Sequence, residues 1–382
     1  MLRRIVFFLL PVLLIFAVVS FYLGWHGTYF LHLLGADVPP ALYWIILYLI
    51  AFSYLLGRIP VRPRSLFRLF KVIGSYYFAV IEFGLILLVA ADLVAGIARL
   101  AGAFSRTFAI VEGFAVLALL VALMVWGSRN AWSPIVRHYD IQVDKKAGNL
   151  KQLKITVVSD IHLGNVVGNR HLDRLLPLVN DWKPDVVLLA GDVIDDTVEP
   201  FLRRDMSSRL ARLQAKYGVF AVLGNHEYYG GHIPEYVEKM RQIGIPVLQD
   251  ETVTVGGAIQ IAGRKDKTAE SMEPQGRLPI AELVSSFDDW LPIIVMDHQP
   301  TRYDLAAAAG VDILVSGHTH RGQMAPNHWI TRRMFELDWG YLRKKQMHAF
   351  VSSGYGTWGP PIRLASRSEI IQITVRFEGD TH

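Results

Sequence analysis

Apolar positions are spaced in two different ways along this chain, and the change comes near Asn130. Before that point, runs such as IVFFLLPVLLIFAVVSFYLG and FAIVEGFAVLALLVALMVWG carry almost no charge. Each approaches the ~20 residues that a helix needs to cross a bilayer. Four transmembrane helices, at about 5–23, 41–57, 73–98 and 108–127, are the most economical reading of a membrane region spanning residues 1–130. The second is near the lower limit of ~17 residues, and Pro39 and Pro40 suit a helix start just before it. Arg3 and Arg4 precede the first run as in a signal peptide, but no small-x-small site follows it, so the run reads as a retained span.

After residues 131–150, which read as a linker, the apolar runs become short and β-branched. Helix-like segments at 171–182, 203–216, 234–243, 279–286 and 301–309 lie between them. Strands alternating with helices predict an α/β domain over 151–382, with a binding crevice outside the carboxyl ends of the strands. At those ends the chain places residues that bind metals. KITVVSDIHLG supplies Asp160 and His162, DVVLLAGDVID supplies Asp192, and GVFAVLGNHEYY supplies Asn225 and His226. LPIIVMDHQP supplies His298, and VDILVSGHTH supplies His318 and His320. In an extended segment His318 and His320 share one side, with Thr319 between them pointing away and free to tolerate Val.

The donors are carboxylates, imidazoles and one amide, and the chain has no cysteine. That set suits manganese, iron(II) or zinc better than copper or a structural zinc site. Two such ions ~3.5–4 Å apart can hold a hydroxide between them and clamp both oxygens of a phosphoryl transfer. Asp192, with two oxygens and a full charge, can bridge such a pair.

Charge adds orientation. The formal net charge is +5, too small to argue for a nucleic-acid partner. Arg58, Arg62, Arg64, Arg68 and Lys71 crowd the connection between the second and third spans, whereas the first connection has no Lys or Arg. Positive loops stay in the cytoplasm, so the domain after the fourth span should face it too, with Arg99 and Arg106 counting against. Glu82, Asp92 and Glu112 fall within the spans, where acids face a bundle interior or a partner.

The series D-x-H, G-D, G-N-H-E, H and G-H-T-H resembles the calcineurin-like metallophosphoesterase superfamily, over roughly 153–377 and with all five blocks matched. The closer likeness is to bacterial membrane-associated phosphoesterases of the YkuE/YaeI type, through GNHEYYGG, SGHTHRGQ and SSGYGTWGPPIRL. The resemblance implies a β-sandwich flanked by helices and a site for two divalent metals. It implies that Asp160, His162, Asp192 and His320 hold one ion, and that Asp192, Asn225, His298 and His318 hold the other. His226 would stand over the scissile phosphate as an imidazolium, stabilising the transition state or protonating the leaving oxygen.

Glu227, Asp195 and Asp196 read as groups that orient their neighbours, and Arg321 as a guanidinium placed to grip a phosphate. The glycines Gly354, Gly356 and Gly359 lack the strand-then-helix context of a nucleotide loop, so this tail reads as a buried turn carrying Trp358 and Arg363. The expected protein is a phosphoesterase anchored in the cell (inner) membrane, cleaving a phosphoester or pyrophosphate bond by a metal-bridging hydroxide. Spans close to the site favour a lipid-linked substrate, and related enzymes cleave the pyrophosphate of a UDP-linked acylated glucosamine. The alternatives are a membrane metal sensor or scaffold, and an enzyme for soluble nucleotides or phosphoproteins.

Overall fold

The computed structural model describes residues 2–59 and 64–377. Arg62, counted above in the basic connection, and residues 378–382 of the second domain lie outside them. The chain divides into two units, one of Met1–Ser128 with Gly359–Ile362 and one of Arg129–Trp358 with Arg363–His382.

Among the described residues three helices contain stretches long and apolar enough to cross a membrane: α1 (Leu2–Leu33), α4 (Arg64–Leu100) and α5 (Arg106–Trp132). The span expected at 41–57 is instead a 12-residue helix, α2 (Pro40–Ala51), followed after a break at Phe52 by one turn, α3 (Ser53–Leu56). Twelve residues rise about 18 Å, short of a hydrocarbon core of ~30 Å. Small residues bring α2 against α1. A Cβ on Gly24 would fall 2.4 Å from Leu47, and the Tyr43 hydroxyl donates to the Gly24 carbonyl at 2.9 Å.

The second unit starts earlier than expected. Residues 135–143, placed above in a linker, form a strand, β1 (Ile135–Val143). The strands that follow are β2 (Gln152–Val158), β3 (Val186–Ala190), β4 (Val219–Val222), β5 (Val247–Leu248), β6 (Glu251–Val255) and β7 (Ile259–Gly263). The series ends with β8 (Ile293–Met296), β9 (Ile313–Ser316), β10 (Gly340–Lys344), β11 (Met347–Val351) and β12 (Glu369–Phe377). They make two six-stranded sheets, ordered β1-β12-β2-β3-β4-β5 and β10-β11-β9-β8-β7-β6.

Val157, Leu188, Val222, Ile261, Met296, Val315 and Phe350 form the layer between the sheets. Leu172, Leu175 and Val179 of α6 (Asn169–Asn180) cover the outer face of the first sheet, and Tyr303, Ala306 and Ala307 cover that of the second. This is the β-sandwich flanked by helices that the motifs implied. β3, β8 and β9 are buried at every position, which is why they read as unbroken apolar runs rather than alternating ones. The helix expected at 203–216 is two short ones, α7 (Glu199–Arg203) and α8 (Ser207–Leu210), because Asp205 turns left-handed at φ 47°.

Topology positions the chemistry. β2, β3 and β4 run parallel, as do β8 and β9, with Val158 opposite Leu189, Ala190 opposite Val222 and Met296 opposite Val315. Their carboxyl ends are therefore level within each sheet, and the loops that leave them share an edge.

Candidate metal centre

The loops at that edge turn sharply. Asp160, His162, Asp192, His318 and His320 all have positive φ, between 48° and 71°. Left-handed backbone costs a non-glycine residue about 1–3 kcal/mol and persists only where the surroundings over-determine it. Here the loops are tied to one another: Asp160 N donates to Gly191 O, His162 N to Asp192 O and Gly317 N to His298 O, each at 3.0 Å. The extended alternation expected for His318 to His320 does not form. β9 ends at Ser316, and each imidazole is delivered by its own left-handed turn. Gly317 gives this approach its room, since a Cβ there would lie 1.7 Å from Ser159 Oγ and 2.2 Å from Asp160 Oδ2.

Seven expected ligands converge in two overlapping groups. In the first, His162 Nε2 faces His320 Nε2 at 3.0 Å, and Asp160 Oδ1 is 3.4 Å from the latter. In the second, His298 Nε2 is 3.1 Å from Asp192 Oδ2 and 3.2 Å from Asn225 Oδ1, which is 2.8 Å from His318 Nδ1. Asp192 Oδ2 also lies 3.9 Å from His162 Nε2, so this single oxygen faces both groups. Its partner oxygen, Oδ1, accepts from His226 N at 2.9 Å. Asp160 belongs with both groups, since its carboxylate also clusters with Asp192 and His298.

The donor set fits divalent cations. Burial lowers the pKa of His162 to about 3 and of His318 to about 4, which keeps both rings neutral and their lone pairs available. Burial raises Asp160 to about 6. Burial opposes the charged forms of His298 and Asp192 as well, but their mutual attraction wins, lifting the imidazole and depressing the carboxylate. Binding a cation there displaces the proton they share.

A second tier holds these groups in place. Glu227, in α9 (Asn225–Gly230), accepts from the backbone N–H groups of Gly224, Asp192 and Ile194 at 2.7, 3.1 and 3.0 Å. It thereby joins the loops after β3 and β4, the orienting role expected of it. Asp196 accepts from His226 Nδ1 at 2.7 Å, whereas Asp195 is 3.9 Å away. Burial works against charge on His226, but Asp196 and the charges of Asp192 and Asp195 lift it to about 9.

The Arg321 guanidinium lies 4.0 Å from the centroid of Trp339, a face contact that does not use its in-plane N–H donors, and its Nε has no hydrogen-bond partner among the described residues. Thr319 does not point away freely as expected, because its hydroxyl is buried and donates to Asp338 O at 2.5 Å while accepting from Arg321 N at 3.1 Å. Thr319→Val should therefore cost about 1–3 kcal/mol, the penalty for unpaired buried polar groups. Denaturant unfolding checks this, and an unchanged midpoint would show that the hydroxyl contributes nothing.

Arg363 makes a contact that no sequence signal announced. Fully buried, it donates to the carbonyls of Ser353 and Gly356 at 2.7 and 2.6 Å, and to His320 Nδ1 at 3.1 Å. A neutral His320 accepting there carries its proton on Nε2, so holding a cation at Nε2 would require the tautomer with the proton on Nδ1, with Arg363 Nη2 donating to the Gly354 and Gly356 carbonyls alone. Arg363→Lys, which loses the planar fork of donors, should weaken the ion held by His320 by about 10- to 100-fold. Chelator competition measures this, and unchanged affinity would confine Arg363 to the tail turn. Exposed Tyr229 and Trp358 flank His226, with ring centroids 5.9 and 6.2 Å from its own, at the mouth of the site.

Comparison with known proteins identifies a family. The profile described as calcineurin-like phosphoesterase matches residues 153–322. An uncharacterized metallophosphoesterase of Aquifex aeolicus is 31% identical over 247 residues, covering 64% of this chain and 93% of that one. A Danio rerio protein named transmembrane protein with metallophosphoesterase domain is 31% identical over 274 residues, which are 68% of this chain and 62% of its own length, under two thirds. The uncharacterized metallophosphoesterase YkuE of Bacillus subtilis is 26% identical over 231 residues, 58% of this chain and 79% of that one.

Proposed function

This chain belongs to the calcineurin-like phosphoesterase family, and we propose on that premise that it is a membrane-anchored phosphoesterase working with two divalent ions. The observation that carries the proposal is the meeting of two donor groups at Asp192 Oδ2. Asp160, His162, Asp192 and His320 would hold one ion, and Asp192, Asn225, His298 and His318 the other. When bound, such ions supply a nucleophile at neutral pH and neutralise charge on the phosphoryl oxygens. His226, held by Asp196 at its Nδ1, presents its other nitrogen to the leaving oxygen and gives up a proton there.

α4 and α5 are consecutive spans, so the basic residues Arg64 and Arg68 at the start of α4 and the unit that follows α5 share a side of the membrane. Positive residues place that side in the cytoplasm, whether or not residues 40–56 cross. Attachment through α5 favours a lipid-linked phosphate or pyrophosphate as substrate. A metal sensor, the alternative, has no use for a histidine held over the donor groups.

The test is turnover by the purified full chain, with manganese, iron(II) or zinc, of a p-nitrophenyl phosphodiester and monoester. No turnover with any of these ions, once two are bound, sinks the proposal. Lipid profiling of cells lacking the protein tests the substrate class, and an unchanged lipidome beside altered soluble nucleotides would overturn the lipid preference.

A further inference from the structure

The helical unit carries polar groups that anchoring does not need. A cavity of about 490 Å³ opens within it, with Leu47, Tyr77 and Leu88 among its apolar walls and Asp92, Arg99 and Glu112 among its polar ones. Asp92 lies eight residues before the end of α4, and Glu112 lies six after the start of α5. At ~1.5 Å per residue, both carboxylates sit about 9–12 Å in from their helix ends, where hydrocarbon gives way to headgroups. Tyr77 is fifteen residues earlier on α4, about 22 Å deeper. The cavity is thus polar at headgroup depth and apolar below.

Its polar end is only partly satisfied from within. Asp92 accepts from the Tyr22 hydroxyl at 2.6 Å, and its Oδ2 is 3.3 Å from His26 Nε2. Glu112 Oε1 is shielded and has no hydrogen-bond partner among the described residues. Arg99 also lines the cavity, its guanidinium 4.2 Å from the centroid of Phe104. We infer that this cavity binds one phospholipid with a primary-amine headgroup, its ammonium against Glu112 and Asp92 and its phosphate toward Arg99. A primary ammonium offers three N–H donors to two carboxylates, and a guanidinium pairs with phosphate. A purely anionic headgroup would meet those carboxylates with like charge, and a quaternary ammonium has no N–H to give. This site is independent of the phosphoesterase reading.

The experiment is native mass spectrometry of the purified full chain with equimolar phosphatidylethanolamine, phosphatidylcholine and phosphatidylglycerol of identical acyl chains. Retention of the ethanolamine lipid should exceed that of each of the others by about tenfold, since a hydrogen bond to a charged group contributes at least about 1.4 kcal/mol. Glu112→Gln and Asp92→Asn should each reduce that preference while leaving metal content unchanged. Equal retention of the ethanolamine and choline lipids, or a preference that survives both substitutions, overturns the inference and leaves a cavity filled by bulk lipid. If either variant aggregates, the wild-type contrast between those two lipids decides.

Discussion

Asp192→Asn is expected to lower turnover by about three orders of magnitude or more and to leave the protein short of its full metal content, because one oxygen of Asp192 faces both donor groups. The substitution preserves shape. Its amide oxygen can still accept from His226 N or face the donor groups, but it cannot do both with the charge that a bridge between cations requires. Metal analysis beside steady-state kinetics reads the two effects separately. Full metal content with near-normal turnover would show that Asp192 does not bridge.

The second large effect belongs to His226. Its removal in His226→Ala should cost about 10²- to 10⁴-fold in turnover, the range for a lost general acid, with metal content kept. Asp196→Asn should act in the same direction but less strongly, since Asp196 reaches the reaction only through the ring it holds. Both should harm an alkyl phosphoester more than a p-nitrophenyl one, because the better leaving group needs its proton less. Equal losses on the two substrates would assign His226 to charge stabilisation instead. A protein whose cellular role survives His226→Ala would be a metal sensor rather than an enzyme.

Much of this was legible in one dimension. Fully buried parallel strands leave unbroken apolar runs, and the residues after β2, β3, β4, β8 and β9 stood out because polar metal-binding types follow those runs directly. Residues 135–143 were missed as a strand because β1 is an edge strand with partly exposed positions, so its run is mixed with charge. Residues 41–57 read as one unbroken helix for the opposite reason. Composition counts apolar residues and cannot see the break at Phe52.

Local composition and order thus determined which donors this protein has, that each follows a strand, and that apolar helices precede them. Those properties depend on near neighbours along the chain. Tertiary structure alone decided how the donors meet. His318 and His320 arrive by left-handed turns rather than by strand alternation, Arg321 stacks on Trp339, and Arg363 reaches His320 across 43 residues of sequence. Such contacts depend on which loops the two sheets bring to one edge, and spacing along a chain carries no distance between segments that far apart.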